Sequence, residues 1–241
     1  GLASKFVKVV LSGVGGDELF GGYPWRYYRA MMNDDFEHYI DQYYGFWQRL
    51  IPNKDIQRVF YPIWGEVKDV WTREIFRDVF PKHNEGPESP EDYINQSLYF
   101  ESKTFLHGLL VVEDKLSMAY GLETRVPFLD NNLVDFAMSC PVSLKLDNLR
   151  DVIKINENDT QKKWGRHCTS DGKQLLRKVM GNYVPNDITK APKQGFSSPD
   201  ASWFKGQSMD FVKRMLFDES KELYRMLDPV AVQSLVAEHM S

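Results

Sequence analysis

Near the start of the chain, Ser12-Gly13-Val14-Gly15-Gly16-Asp17-Glu18 combines the residue types that can handle a phosphate. Gly13, Gly15 and Gly16 leave no side chain in the way, so backbone amides can close around an anion, and Ser12 can hydrogen-bond at the turn. A phosphate-bearing ligand with its metal is the chemistry this suggests, and a plain tight turn between strand and helix is the alternative. Neither familiar glycine signature applies. The dinucleotide fingerprint wants a glycine where Glu18 stands, and the lysine of a Lys-Ser/Thr phosphate loop is missing. Spacing alone leaves both readings open.

The element that must position this loop is the run before it. Lys5-Phe6-Val7-Lys8-Val9-Val10-Leu11 is apolar and β-branched, which predicts a strand buried on both faces. In open parallel sheets ligands collect at the carboxyl ends of strands, where the glycine turn lies. A lone strand needs partners on its edges, and the chain starts at Gly1 rather than Met, so further chain is expected upstream. From Pro24 to Leu50, Trp25, Tyr27, Tyr28, Phe36, Tyr39, Tyr43, Tyr44, Phe46 and Trp47 recur at helical spacing, which predicts helices with a core-facing stripe. Prolines break residues 51–90 into short helices, with residues 84–90 as an exposed loop. One long helix is predicted from Ser89 or Pro90 to Met118 on Ile94, Leu98, Phe105, Leu109, Val112 and Leu116, with Gly121 as its C-cap.

Thr124 to Phe128 must then be extended ahead of Pro127. Asp130 caps a helix over Asn131 to Ser139, with Leu133, Val134, Phe136 and Ala137 inward. Residues 147–172 are polar and without period, which predicts an insertion loop, and Lys173 to Met180 resumes a helix. A second loop spans residues 190–206, pinned by Trp203 and Phe204, and Asp228-Pro229 opens a last helix that ends without a cap.

Composition removes several classes. The 241 residues carry a net charge of −4 with mixed signs, so there is no basic stripe for nucleic acid. No apolar run approaches the roughly 18 residues a membrane span needs. Cys140 and Cys168, widely separated, suit packing in a reducing cytoplasm better than a disulfide framework. The five histidines share no metal-binding spacing, and Gly195-Phe196-Ser197-Ser198-Pro199 is not a nucleophile elbow.

Longer motifs go further. Ser12 to Tyr23 resembles, at every position but Val14, the Ser-Gly-(Glu/Asp)-Gly-(Ser/Gly/Ala)-Asp-Glu-Leu-Phe-Gly-Gly-Tyr motif of the synthetase domain of glutamine-hydrolysing asparagine synthetases. The run Glu113 to Asp130 is similar to that family's Asp-Arg-x-Ser-Met-Ala to Arg-x-Pro-Phe-Leu-Asp block. Lys173-Gln174-Leu175-Leu176-Arg177 and Lys193-Gln194-Gly195-Phe196 resemble its Lys-x-x-Leu-Arg and Lys-x-Gly-Phe elements. The Gly-Gly-Asp form of the loop points within the family to synthetase-like amidotransferases of surface-polysaccharide clusters.

The resemblance implies an α/β fold, part of an adenine-nucleotide α-hydrolase-like (HUP-type) synthetase domain. Residues 1–241 would be its C-terminal part, mostly helical with one or two parallel strands and incomplete at both ends. It implies ATP and Mg²⁺ as cofactors, aspartate and ammonia from glutamine as substrates, a glutaminase domain in the intact chain, and a homodimer as the candidate assembly. Aspartate's carboxylate would attack ATP to form an aspartyl-adenylate, and ammonia would displace AMP. Ser12, Gly13, Gly15 and Gly16 would meet ATP, Asp17 would hold the metal, and Lys173 would neutralise the phosphate or the intermediate. For Asp114, Glu123 and Arg125 a buried carboxylate–guanidinium network is expected instead.

Two departures shape the alternatives. Val14 stands where many members carry an acid, and the Ser-Gly-Gly-x-Asp-Ser pyrophosphate loop is not among these residues. These residues alone are therefore expected to be inactive. The rivals are amidation of another carboxylate, such as a sugar acid, and a non-catalytic module that keeps the fold for partner binding.

Overall fold

A computed structural model describes residues 1–29, 31, 33–48, 51, 53–81, 87, 89–149, 171–193 and 208–240. They fall into two compact units, one of Gly1–Tyr43 with Phe76–Gln194, the other of Tyr44–Ile75 with Gly195–Ser241. The candidate site lies wholly in the first unit.

That unit begins with strand β1 (Val9–Leu11), helix α1 (Gly16–Phe20), α2 (Pro24–Arg29) and the start of α3 (Phe36–Trp47). It continues through α4 (Pro90–Lys103), α5 (Phe105–Met118), strand β2 (Glu123–Arg125), α6 (Asn131–Ser139), α7 (Val142–Lys145) and α8 (Gln174–Met180). β1 and β2 pair in parallel, Val10 opposite Thr124. The expected mixture of many helices with a parallel strand pair is therefore present.

The strand departs from its expected length and burial. Ala3–Lys5 forms a 3-10 turn instead, and Val9 and Leu11 are 44% and 75% exposed. Among the described residues β1 pairs along one edge only, and the face that carries Val9 and Leu11 lacks the covering layer that a doubly buried strand requires.

The single long helix predicted to Met118 is two. Ser89 and Asp92 form a capping box at the start of α4, with Pro90 in the first turn. At Thr104 the backbone stays in the right-handed region but is pulled well away from ideal helical angles (φ −116°, ψ −66°), and Thr104 Oγ1 donates to the Phe100 carbonyl at 2.7 Å. The apolar spacing continues across the break, which is why periodicity alone did not show it. After α5 the N–H groups of Gly121 and Leu122 return to the carbonyls of Met118 and Ser117, a Schellman ending that releases the chain into β2.

Asp130 Oδ1 accepts from the N–H groups of Asn132 and Leu133 and caps α6 as expected. Ala137 is buried there, but Phe136 is 53% exposed, so the inward stripe is narrower than its sequence suggests. The aromatic stripe of residues 24–47 does face a core. Tyr27, Tyr28 and Met31 pack with Ile94 and Leu98 of α4 and with Val142 and Leu146, while Tyr39 stacks on Tyr43 at 5.5 Å between ring centroids. A smaller cluster of Leu19, Phe20 and Ala137, flanked by Phe128, Leu129, Leu175 and Leu176, ties α1 to α6 and α8.

In the second unit, the helices Ser208–Leu216 and Pro229–Met240 pack together, and Asp228, whose carboxylate caps the latter, donates its N–H to the Val59 carbonyl at 2.8 Å. The polar insertion at 150–170 with Cys168, the loop at 194–207 with Trp203 and Phe204, and the tip of the loop at 84–86 lie outside the described residues. Among the described residues no helix is long and apolar enough to cross a membrane.

Candidate active site

The site starts where β1 ends. Ser12 adds one more rung to the ladder, its N–H donating to the Arg125 carbonyl at 2.8 Å, and its Oγ accepts from the Val14 N–H at 3.3 Å. Gly15 then takes φ 94°, a conformation that only glycine adopts without strain, and a Cβ there would meet Leu129 Cδ2 at 2.5 Å. Gly16 lies against the Phe128 ring, whereas a Cβ on Gly13 would meet nothing within 4 Å. Tight packing against residues 128 and 129 accounts for glycine at 15 and 16, and Gly13 is the loop glycine with open space beside it.

The turn delivers Asp17 on the first turn of α1. Its Oδ1 accepts from Lys173 Nζ and from Lys193 Nζ, each at 2.8 Å. Lys173 immediately precedes α8 at φ 59°, and its N–H donates to the Phe20 carbonyl at 3.1 Å. This junction is so close that a Cβ on Gly172 would come within 2.3 Å of the Gly21 carbonyl oxygen. An ammonium at a helix start is opposed by the helix dipole, and Asp17 supplies the compensating charge. Burial pushes the Asp17 carboxyl up, but hydrogen bonds and charge from the two lysines outweigh it and hold the group below its ordinary range. Asp17 is therefore ionised at neutral pH.

Next to it Glu18 is 1% exposed, and burial pushes its carboxyl up. The Tyr23 hydroxyl donates to Glu18 Oε1 at 3.3 Å, and burial followed by the charges of Glu18 and Asp17 raises the phenol, which stays a neutral donor. The Tyr23 ring also carries two cations, the Arg26 guanidinium at 3.8 Å from its centroid and Lys193 Nζ at 4.8 Å. Arg26 is fixed from behind by Glu101 at 3.2 Å, which in turn accepts from Tyr27 at 2.8 Å and Tyr43 at 3.1 Å. Burial raises the Glu101 carboxyl to about 6, with Arg26 and the two hydroxyls holding it from going higher.

The structure thus brings Asp17 and Lys173 together, with Ser12 and Gly13 on the loop leading to Asp17. Lys193, Tyr23 and Arg26 complete the cluster. Lys193 had a sequence signal in the Lys-Gln-Gly-Phe element, but its convergence on Asp17 did not.

The expected buried network at the sheet end takes another form. Arg125 Nε does donate to Glu123 Oε1 at 2.9 Å, but the two side chains are 65% and 54% exposed, and Asp114 is exposed on α5. The reason is that of β1: nothing among the described residues covers this side of the strand pair.

For a divalent metal the donor set is limited. Among the described residues no cluster of three or more His, Cys, Asp or Glu is arranged to hold one, and Asp17 Oδ1 already carries two ammonium groups. A divalent ion here would therefore have to bring most of its ligands with it on phosphates, with Asp17 as its one carboxylate.

The sequence matches the asparagine synthase family model over residues 1–241. Asparagine synthetase (glutamine-hydrolysing) 1 of Bacillus subtilis is 27% identical, over 92% of this chain and 35% of its own length. Asparagine synthetase (glutamine-hydrolysing) 3 of the same organism is 25% identical, over 96% of this chain and 33% of its own. A Penicillium rubens protein named amidase chyE is 24% identical, over 95% of this chain and 38% of its own. The chain thus spans about a third of the length of these curated relatives.

Proposed function

Because the chain belongs to the asparagine synthase family, we propose that it carries part of an adenylating site that converts aspartate to asparagine with ATP and ammonia. A carboxylate oxygen of aspartate attacks the α-phosphorus of ATP, and the bond from that phosphorus to pyrophosphate breaks. Ammonia, released from glutamine elsewhere in the intact protein, then attacks the acyl carbon and expels AMP. The observation that carries this reading is the ion pair of Asp17 with Lys173 at 2.8 Å, which joins two separately recognised motifs into one charged cluster at the end of β1. Lys173 stabilises negative charge gathering on the departing pyrophosphate, and Ser12 and Gly13 face the AMP portion. Asp17 is the carboxylate through which a phosphate-borne Mg²⁺ would be held, a Lewis acid that neutralises phosphate charge.

Aspartate-dependent exchange of labelled pyrophosphate into ATP, measured on the intact protein, tests the reading directly. Exchange that needs aspartate supports it, and no exchange with any carboxylic acid rejects it.

Val14 favours a second reading, amidation of another carboxylate. An aliphatic side chain can neither act as a base nor orient ammonia, and here its N–H is occupied with Ser12 Oγ. Exchange driven by a sugar acid or β-amino acid in place of aspartate would select this reading.

A further inference from the structure

A cavity of about 750 Å³ is lined by residues of α7, α8 and the short helix Asn186–Thr189, and neither Asp17 nor either of its lysines lines it. Small-molecule sites run from roughly 300 to 1,000 Å³, so the space is of a useful size. Hydrogen bonds fix its frame. Asp147 donates its N–H to the Asp171 carbonyl at 2.9 Å. Asn148, at φ 59°, ties the two carboxylates together, its N–H donating to Asp147 Oδ1 and its Nδ2 to Asp171 Oδ1, each at 2.9 Å. Arg177 joins α8 to the short helix, with Nε donating to the Gly172 carbonyl at 2.8 Å and Nη1 to the carbonyls of Thr189 and Ala191 at 2.6 and 2.9 Å. That leaves the two N–H groups of Nη2 without an acceptor among the described residues.

Lys178 and Lys190 line the cavity as well, so it carries both signs of charge. These charges do not neutralise one another. Among the described residues Arg177, Lys178 and Lys190 form no ion pair, and Asp147 meets no cation. A simple anion would be drawn by the three cations and repelled by the two carboxylates, and a simple cation would meet the reverse. A molecule that carries an ammonium and a carboxylate together satisfies both sets, through charged hydrogen bonds of the stronger kind. Leu144 and Leu175 add apolar contact for a side chain. We propose that this cavity binds a free α-amino acid, with Asp147 receiving its ammonium and Arg177, Lys178 and Lys190 its carboxylate.

The test is calorimetric titration of the intact protein, without ATP, with the standard L-amino acids one at a time. The tightest binder is then compared with its N-acetyl and α-carboxamide derivatives on wild type, Asp147→Asn and the double variant Lys178→Gln/Lys190→Gln, with melting temperatures as the check on folding. Each derivative should bind wild type roughly tenfold or more weakly, since each removes one charged contact. Asp147→Asn should weaken the amino acid to a similar degree and reduce the penalty for N-acetylation to about threefold or less. The double lysine variant should do the same for the α-carboxamide. Wild-type protein that binds no amino acid overturns the proposal, as does binding by both variants that matches wild type at unchanged melting temperature. A parallel rise in the KM for aspartate in pyrophosphate exchange would place the ligand in the acceptor site and overturns it too. Absence of exchange in wild type rejects the adenylation reading alone, because the calorimetry decides the cavity without it.

Discussion

Lys193 donates to Asp17 Oδ1 at 2.8 Å from 176 positions further along the chain. The pairing is possible because α1 presents its carboxylate outward from a turn clamped by residues 128 and 129, while Lys173 approaches the same oxygen from the head of α8. Charge gathered in this way is a feature of the fold, and its consequences can be measured.

Lys173→Ala and Asp17→Ala, made singly in the intact protein, are each expected to lower kcat/KM for aspartate-dependent pyrophosphate exchange by roughly 10²-fold or more, the loss typical of a removed transition-state contact. The double variant should lose far less than the product of the two, since each residue acts through the other. Multiplicative losses would show that the ion pair is not a functional unit.

Gly172→Ala tests the close approach of α1 and α8. Its Cβ would fall 2.3 Å from the Gly21 carbonyl oxygen, a backbone atom that cannot rotate away. Destabilisation of roughly 1–3 kcal/mol is expected, together with lost exchange activity as Lys173 is displaced. The control is Gly108→Ala in α5, where a Cβ meets nothing within 4 Å. That change should leave stability unchanged or raise it by about 0.5–1 kcal/mol in a thermal melt. Equal melting temperatures for the two variants would contradict the geometry.

Glu101 makes stability depend on pH. Its carboxyl is raised by burial from an ordinary 4.5 to about 6, so the folded protein binds the proton more tightly than the unfolded chain does. Stability from this group is thus full below the unfolded pKa and falls as pH rises through about 6, by about 2 kcal/mol for a shift of this size. Denaturant titrations of wild type and Glu101→Gln between pH 4 and pH 7 should give a difference that changes by about this amount. A difference that stays flat across the range would mean the carboxyl is not raised.

Asp130→Ala separates support from chemistry. Removing the cap of α6, whose carboxylate oxygen accepts two backbone N–H groups, should cost about 1 kcal/mol of stability. The KM for ATP should hold steady, because the Asp130 carboxylate is engaged by the N–H groups of Asn132 and Leu133 at the start of its own helix. A large rise in KM at unchanged melting temperature would instead place Asp130 in the binding machinery.

Much of this protein is written locally. Ser89 with Asp92, Asp130, Gly121 and Asp228-Pro229 fix helix ends through bonds that span only a few residues, and each could be read without knowing the fold. The motif from Ser12 to Tyr23 likewise identified the family and singled out Asp17, and a later motif singled out Lys173. Other features depend on distant neighbours. The break at Thr104 lies inside unbroken apolar spacing, and the exposure of Val9, Leu11, Phe136 and the Arg125–Glu123 pair depends on what covers each surface. The convergence of Lys173 and Lys193 on one oxygen, and of Arg26 and Lys193 on the Tyr23 ring, was decided by tertiary structure alone. Capping and turn chemistry act over neighbouring residues and so leave a mark in the sequence, whereas burial and charge pairing act through space between segments that the sequence keeps apart.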